Sequence, residues 1–253
     1  MNLNVEQITS FNVITISFDS QKNQYDKYVL EIIYNHAKRI ADNVNIKAAN
    51  NSDKARDESK LITDCFIGVL SEYSWKIAIN ALLVDTIVKE TDSLDLSNQI
   101  DLETLKDKYS IEVRSSFVKN GIEFALANNE YHFDIVGPYV NNYKTEEKPK
   151  DFYLRCLYHF DNREKSKFIS TVKDQGVVVY LIGGASLEMM QDESLYIIKN
   201  MKEGSELGFN VDGTLTEYKA IPIPKSKDAL TIIKEIYKKT KSGIEEQESS
   251  KPT

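Results

Sequence analysis

Apolar and polar residues alternate along two short segments in the middle of the chain, Asn98-Gln-Ile-Asp-Leu-Glu103 and Ser110-Ile-Glu-Val-Arg-Ser-Ser116. A period of two marks a half-buried strand, and the polar Lys-Asp-Lys stretch between the segments predicts a hairpin turn. Successive side chains of a strand point to opposite faces. Ile100 and Leu102 therefore share one face of the first strand, and Asp101 and Glu103 the other. In the second strand Ile111 and Val113 face away from Glu112 and Arg114. A turn centred between Lys106 and Asp107 sets Asp101 opposite Glu112, with both carboxylates on one face. Like charges in that position destabilise a sheet unless a cation sits between them.

The rest of the pattern predicts a mixture of helices and strands. Phe11 to Phe18 is β-branched and reads as a strand. Tyr28, Ile32, Ile33, Ala37 and Ile40 recur at helical spacing within Tyr25–Asp42. Asn45 to Ser59 reads as an exposed loop. A longer helix is expected over Lys60–Val88, burying Ile62, Cys65, Phe66, Val69, Tyr73, Ile77 and Leu82. Strands are expected at Tyr131–Val136 and Phe152–Phe160, on either side of the polar stretch Asn141–Lys150. The apolar run Gly176–Ile182 predicts a strand buried on both faces. Leu187 to Met201 suggests a short helix or turns. Ser226 to Lys241 predicts an amphipathic helix with a serine cap, and residues 242–253 a disordered polar tail.

Neither a repeat nor a composition break divides the chain. The expected architecture is a single α/β domain over residues 1–241, with an N-terminal strand and helix portion (1–58) and a core (59–241). Its 253 residues are 41% hydrophobic and 28% charged, ordinary values for a globular protein. No apolar run reaches the roughly 20 residues of a membrane helix, and Met-Asn-Leu-Asn-Val-Glu has no secretory character. A cytoplasmic location follows by elimination. Cys65 and Cys156 fit no metal-ligand spacing and read as buried free thiols. The histidines (His36, His132, His159) are dispersed. No HExxH and no Gly-X-Ser-X-Gly is present.

A net charge of -7 argues against nucleic acid as a partner, which usually leaves a basic footprint. A metal-dependent nuclease must carry acidic ligands, however, and bound cations offset part of their charge. Local basic segments run over residues 47–60, with Lys54 and Arg56, and 144–150. Mg²⁺ typically takes one or two carboxylates together with substrate phosphates, which makes Asp101 and Glu112 candidate ligands. Arg114, on the face of Glu112, is placed to clamp a phosphate. Glu103 is an alternate ligand on the face of Asp101.

Asp101 followed by Glu112-Val113-Arg114, after a helix containing Gly68-Val-Leu-Ser-Glu72-Tyr-Ser-Trp75, resembles the PD-(D/E)XK superfamily of restriction-endonuclease-like nucleases. The resemblance spans about residues 60–160. It implies a mixed central sheet flanked by helices, with further core strands at Phe152–Phe160 and Val177–Ser186. It also implies Mg²⁺ as cofactor, with Mn²⁺ able to substitute. Asp101, Glu112 and Glu72 would be the metal-site residues and Arg114 the phosphate clamp. The expected activity is cleavage of double-stranded DNA, most specifically by a type II restriction enzyme acting as a homodimer, one site per strand.

One position departs from the pattern. The usual lysine is Arg114, which stays protonated and cannot act as a base. Water activation would fall to the metal, to a substrate phosphate, or to a lysine from elsewhere such as Lys144. A repair or structure-specific nuclease, and a non-catalytic DNA-binding or assembly subunit of the same fold, are the alternatives. Gly137-Pro-Tyr-Val-Asn-Asn-Tyr-Lys144 reads as a surface turn with some capacity for phosphate and base contacts. Asn50–Arg56 reads as a solvated linker, and Gly183-Gly184 as a tight turn.

Overall fold

The β-branched run near the N-terminus forms its strand in a hairpin with the residues before it. β1 (Asn2–Ile8) and β2 (Phe11–Phe18) pair antiparallel through a turn in which Thr9 takes a φ of 56°. The computed structural model describes residues 1–43, 57–83, 86–91, 101–127, 133–140, 147–202 and 215–249. α1 (Gln24–Asn43) starts where the Asn23 side chain accepts the Tyr25 N–H at 3.0 Å. There follow α2 (Glu58–Leu83), β3 (Val88–Glu90), β4 (Leu102–Thr104), β5 (Ser110–Val118), α3 (Ile122–Ala127), β6 (Ile135–Val140) and β7 (Phe152–His159). The remainder is α4 (Phe168–Gln175), β8 (Val177–Ser186), α5 (Leu187–Gln191), β9 (Ile197–Lys202), β10 (Leu215–Ile221), β11 (Lys227–Asp228) and α6 (Ala229–Ser249).

The fold is mixed α/β. The main sheet runs β1-β2-β8-β7-β5-β4-β3, with β11 on β8; β5 and β7 are parallel and the other pairs antiparallel. A second sheet runs β6-β10-β9. The two faces of the main sheet are covered differently. On one, Ile111, Val113, Phe152, Leu154 and Cys156 join residues of α1, α2, α4 and α6 in a large apolar core. On the other, Val118 and Leu157 pack against α3, and Tyr153 packs near Ile135 and Ile221 of the second sheet. Among the described residues no helix is long and apolar enough to cross a membrane.

Several elements differ from expectation for local reasons. The second helix stops at Leu83, and Val88 opens β3 instead. Asn80 ties the two together, accepting the Ile87 and Val88 N–H groups at 2.8 and 3.0 Å. Gly137 and Pro138 lie within β6 rather than in a surface turn. Proline is tolerated because β6 is an edge strand and its pairing with β10 is interrupted between Tyr218 and Ala220. The expected strand start at Tyr131 falls outside the described residues.

Gly183-Gly184 also continues a strand, β8, instead of turning. A Cβ at Gly183, whose φ is 146°, would stand 2.0 Å from the Lys227 carbonyl oxygen, so the close approach of β11 requires glycine. The final helix is capped by Asp228, whose side chain accepts the Thr231 N–H at 2.7 Å; Ser226 bonds back to Ile223. That helix runs to Ser249 rather than giving way to a tail at 242. Glu245, Glu246, Gln247 and Glu248 are straight-chain helix formers. Residues 250–253 lie outside the described residues.

Candidate functional site

The hairpin register places the candidate site. Leu102 pairs with Ile111 and Glu103 with Ser110, the register that sets Asp101 across from Glu112 as the alternation predicts. Asp101 itself stands just before β4. Its Oδ2 accepts the Val113 N–H at 2.6 Å, a side-chain acceptor taking the place of a strand carbonyl. Asp101 is thus held at the margin of β5, where it is exposed to charge from both sides of the sheet.

Glu112 and Arg114 lie on the face away from the large core. Glu112 is 6% exposed and forms an ion pair with Arg114. The Arg114 guanidinium lies 5.2 Å from the centre of the Tyr139 ring on β6. Burial opposes its charge, but Glu112 foremost, then Tyr139, Asp101 and Glu147, more than offset that and hold it protonated. Glu147 also accepts the Tyr139 N–H at 2.8 Å, tying the segment before β7 to β6.

Asp101 carries the electrostatic signature of the pair. Burial and then the Glu112 carboxylate raise its carboxyl from 3.8 to about 7, against the opposing influence of the Val113 N–H, Arg114 and Lys150. A carboxyl that titrates near neutrality beside a second acid is a group that a cation would relieve.

Glu72 approaches from α2, on the helical face. Burial raises its carboxyl well above the usual range, followed by the charges of Asp101 and Glu90. Its own charge is felt at Cys156 and Tyr158, both in the large core. The structure therefore brings Asp101, Glu112 and Arg114 together, with Glu72 acting on Asp101 across the sheet margin. Glu103 is drawn elsewhere. Lys89 at 2.9 Å and Lys108 at 3.2 Å hold it and lower its carboxyl. Lys54, Arg56 and Lys144 lie outside the described residues.

Two basic residues enter the site without having been singled out in the sequence. Lys150 is 4% exposed and lies close enough to Asp101 to lower its carboxyl. It is positioned by its neighbours: the Tyr153 hydroxyl accepts its N–H at 2.8 Å, and Asp151 accepts the Ser110 N–H at 2.7 Å, joining the starts of β5 and β7. Arg155 stands beside Arg114 in the parallel β5–β7 register. Its sequence signal was a lone charge inside the apolar run Phe152-Tyr-Leu-Arg-Cys-Leu-Tyr. Lys150 had no comparable signal among the lysines of its segment. Cys156 is a buried free thiol, raised to about 12 by burial, and Cys65 a partly buried one.

Among the described residues no group of three or more His, Cys, Asp or Glu side chains is arranged to hold a metal ion. Asp101 and Glu112 are two carboxylates on one face, and a hard cation held by two carboxylates would complete its shell with water and substrate oxygens.

An uncharacterized protein of Methanocaldococcus jannaschii is 26% identical to this chain over 267 aligned positions, covering 89% of this chain and 91% of that protein. No family model matches the chain. No solved structure matches it.

Proposed function

We propose that the protein is a Mg²⁺-dependent endonuclease of the PD-(D/E)XK type, cutting double-stranded DNA in the cytoplasm, and most specifically a type II restriction endonuclease working as a homodimer. The observation that carries this reading is the facing of Asp101 and Glu112 across the β4–β5 hairpin, with the Asp101 carboxyl raised to about 7. The succession α2, β3, β4, β5, α3 and β7, a meander followed by a strand parallel to β5, supports it as the helix-and-sheet order that the motif implies. The step to a restriction enzyme rests on family analogy.

In this proposal Asp101 and Glu112 are the protein's metal ligands, with Mn²⁺ able to replace Mg²⁺. A divalent cation there would neutralise the scissile phosphate, favour attack by water and stabilise the departing oxygen. Arg114, kept charged by Glu112, would donate to the phosphate as negative charge grows. Lys150 fills the place left by the arginine: its ammonium, buried beside Asp101, would orient the attacking water. Glu72 would act on Asp101 through its charge or a bridging water.

Incubation of the full chain with varied duplex DNA in Mg²⁺ or Mn²⁺ tests the proposal. Discrete fragments are expected from the wild type, with loss of at least about 10²-fold in Asp101→Asn and Glu112→Gln, the scale of removing one preorganised electrostatic group. Undiminished cutting by either variant removes that residue from the mechanism. Metal-independent DNA binding with no cutting by the wild type would favour a non-catalytic subunit, the reading that Arg114 in place of lysine also suggests.

A further inference from the structure

Arg155 is a buried cation on the face that carries Glu112. It is 5% exposed, its Nε is buried without a hydrogen-bond partner, and among the described residues no carboxylate forms an ion pair with it. Asp134, the acid whose charge it feels, is held by Lys199. Burial, reinforced by Arg114, lowers the guanidinium to about 10. A buried cation without a matching anion is destabilising and calls for a ligand that supplies one.

The one side-chain hydrogen bond that Arg155 makes among the described residues shows where such a ligand would sit. Its Nη2 donates to Ser116 Oγ at 2.7 Å. The Ser116 oxygen is thus used as an acceptor, and its own proton finds no acceptor among the described residues. Ser116 lines a cavity of about 290 Å³ together with Asp64, Ser115, Phe117, Phe133, Asn162 and Lys165. Lys165 also meets Asp64 at 2.6 Å there. The hydroxyl polarised by a guanidinium, a second hydroxyl, an amide and an ammonium form a donor set for an oxyanion, and the Asp64 carboxylate that also lines the cavity is taken up by the ammonium.

We propose that Ser116, backed by Arg155, forms a phosphate subsite in this cavity, and that it holds a backbone phosphate of the nucleic-acid strand away from the scissile one. Ser116 is four residues beyond Glu112 on the same face, roughly 13 Å at strand spacing. One phosphate cannot occupy both places, so the subsite positions the strand while Asp101 and Glu112 act on it. This assignment rests on the nuclease reading for the identity of the strand but not for the presence of the subsite.

The test is the thermal stability of the full chain without divalent metal, at fixed ionic strength, with inorganic phosphate, a 5′-mononucleotide or a short DNA duplex added against chloride. All three are expected to raise the wild-type Tm, the duplex at the lowest concentration. Arg155→Met should raise the ligand-free Tm, because an unpaired buried charge is removed, and lose the phosphate response. Ser116→Ala should fold as the wild type does and bind phosphate about tenfold more weakly, the scale of one charge-assisted hydrogen bond. A wild type indifferent to all three ligands, or variants that respond as it does, overturns the subsite. Stabilisation by phosphate and the mononucleotide but not by the duplex overturns the assignment to a strand, whatever the result of the cleavage assay. Absence of cleavage with these responses intact removes the nuclease reading and leaves the subsite.

Discussion

The two faces of the main sheet show what burial does in different company. On the helical face Trp75, Leu70, Ile79, Phe152 and Leu154 are almost wholly buried among other apolar side chains. Their energetics are those of packing and water exclusion. On the opposite face smaller apolar clusters leave room between them for Glu112, Arg114, Lys150 and Arg155. There the same removal of water raises one acid, lowers one guanidinium and leaves charge seeking partners. One face holds the fold together, and the other stores electrostatic cost that a cation and an anion could relieve. Asp101 sits at the margin between them.

That contrast breaks most visibly in its apolar half. Trp75→Ala removes a fully buried indole from the helical face and is expected to cost about 3–5 kcal/mol in urea unfolding. A loss below about 1 kcal/mol would mean that this face is not the structural one.

Asp101→Asn should act in the other direction. The folded carboxyl titrates near 7 and the unfolded one near 3.8, so its contribution is fully present below the unfolded value and lost as pH rises through the folded one. The metal-free wild type should therefore weaken between pH 4 and 8. The asparagine variant, whose amide oxygen can still accept the Val113 N–H, should not share that decline. At pH 8 it should be more stable by about 1–3 kcal/mol, less than the full shift implies because Asp101 retains some solvent contact. Parallel pH profiles for the two proteins would contradict the raised carboxyl.

The smallest effect is expected at Glu103, which points the same way along β4 but is spent on Lys89 and Lys108. Glu103→Gln should change stability by less than about 1 kcal/mol and leave DNA cleavage unaltered. A large drop in cleavage would move the proposed metal site along the strand.

The same division governs what could be read in the residues. The hairpin register followed from alternation plus one turn centre, because a period of two admits no half-steps; hence Asp101 and Glu112 were legible. The strand Phe11–Phe18 and the helix beginning near Tyr25 were equally plain, since each pattern is local. β1 has only Leu3 and Val5 in alternation, with Ile8 out of phase, and so weak a pattern becomes a strand only through pairing with β2. Gly183-Gly184 and Gly137-Pro138 looked like turns, yet tertiary approach by β11 and an edge position kept both in strands. Lys150 and Arg155 depend on the parallel pairing of β5 with β7, a contact between segments some 40 residues apart in register. No local spacing encodes it.

Binding of Mn²⁺ to the full chain at pH 7.5, followed by calorimetry without DNA, examines the shared carboxylate pair directly. Saturable binding is expected in the wild type and should be at least about tenfold weaker in Asp101→Asn and in Glu112→Gln, with both variants still folded. Equal Mn²⁺ binding by all three proteins, or none by the wild type with or without duplex DNA, would contradict the claim that these two side chains hold a cation between them.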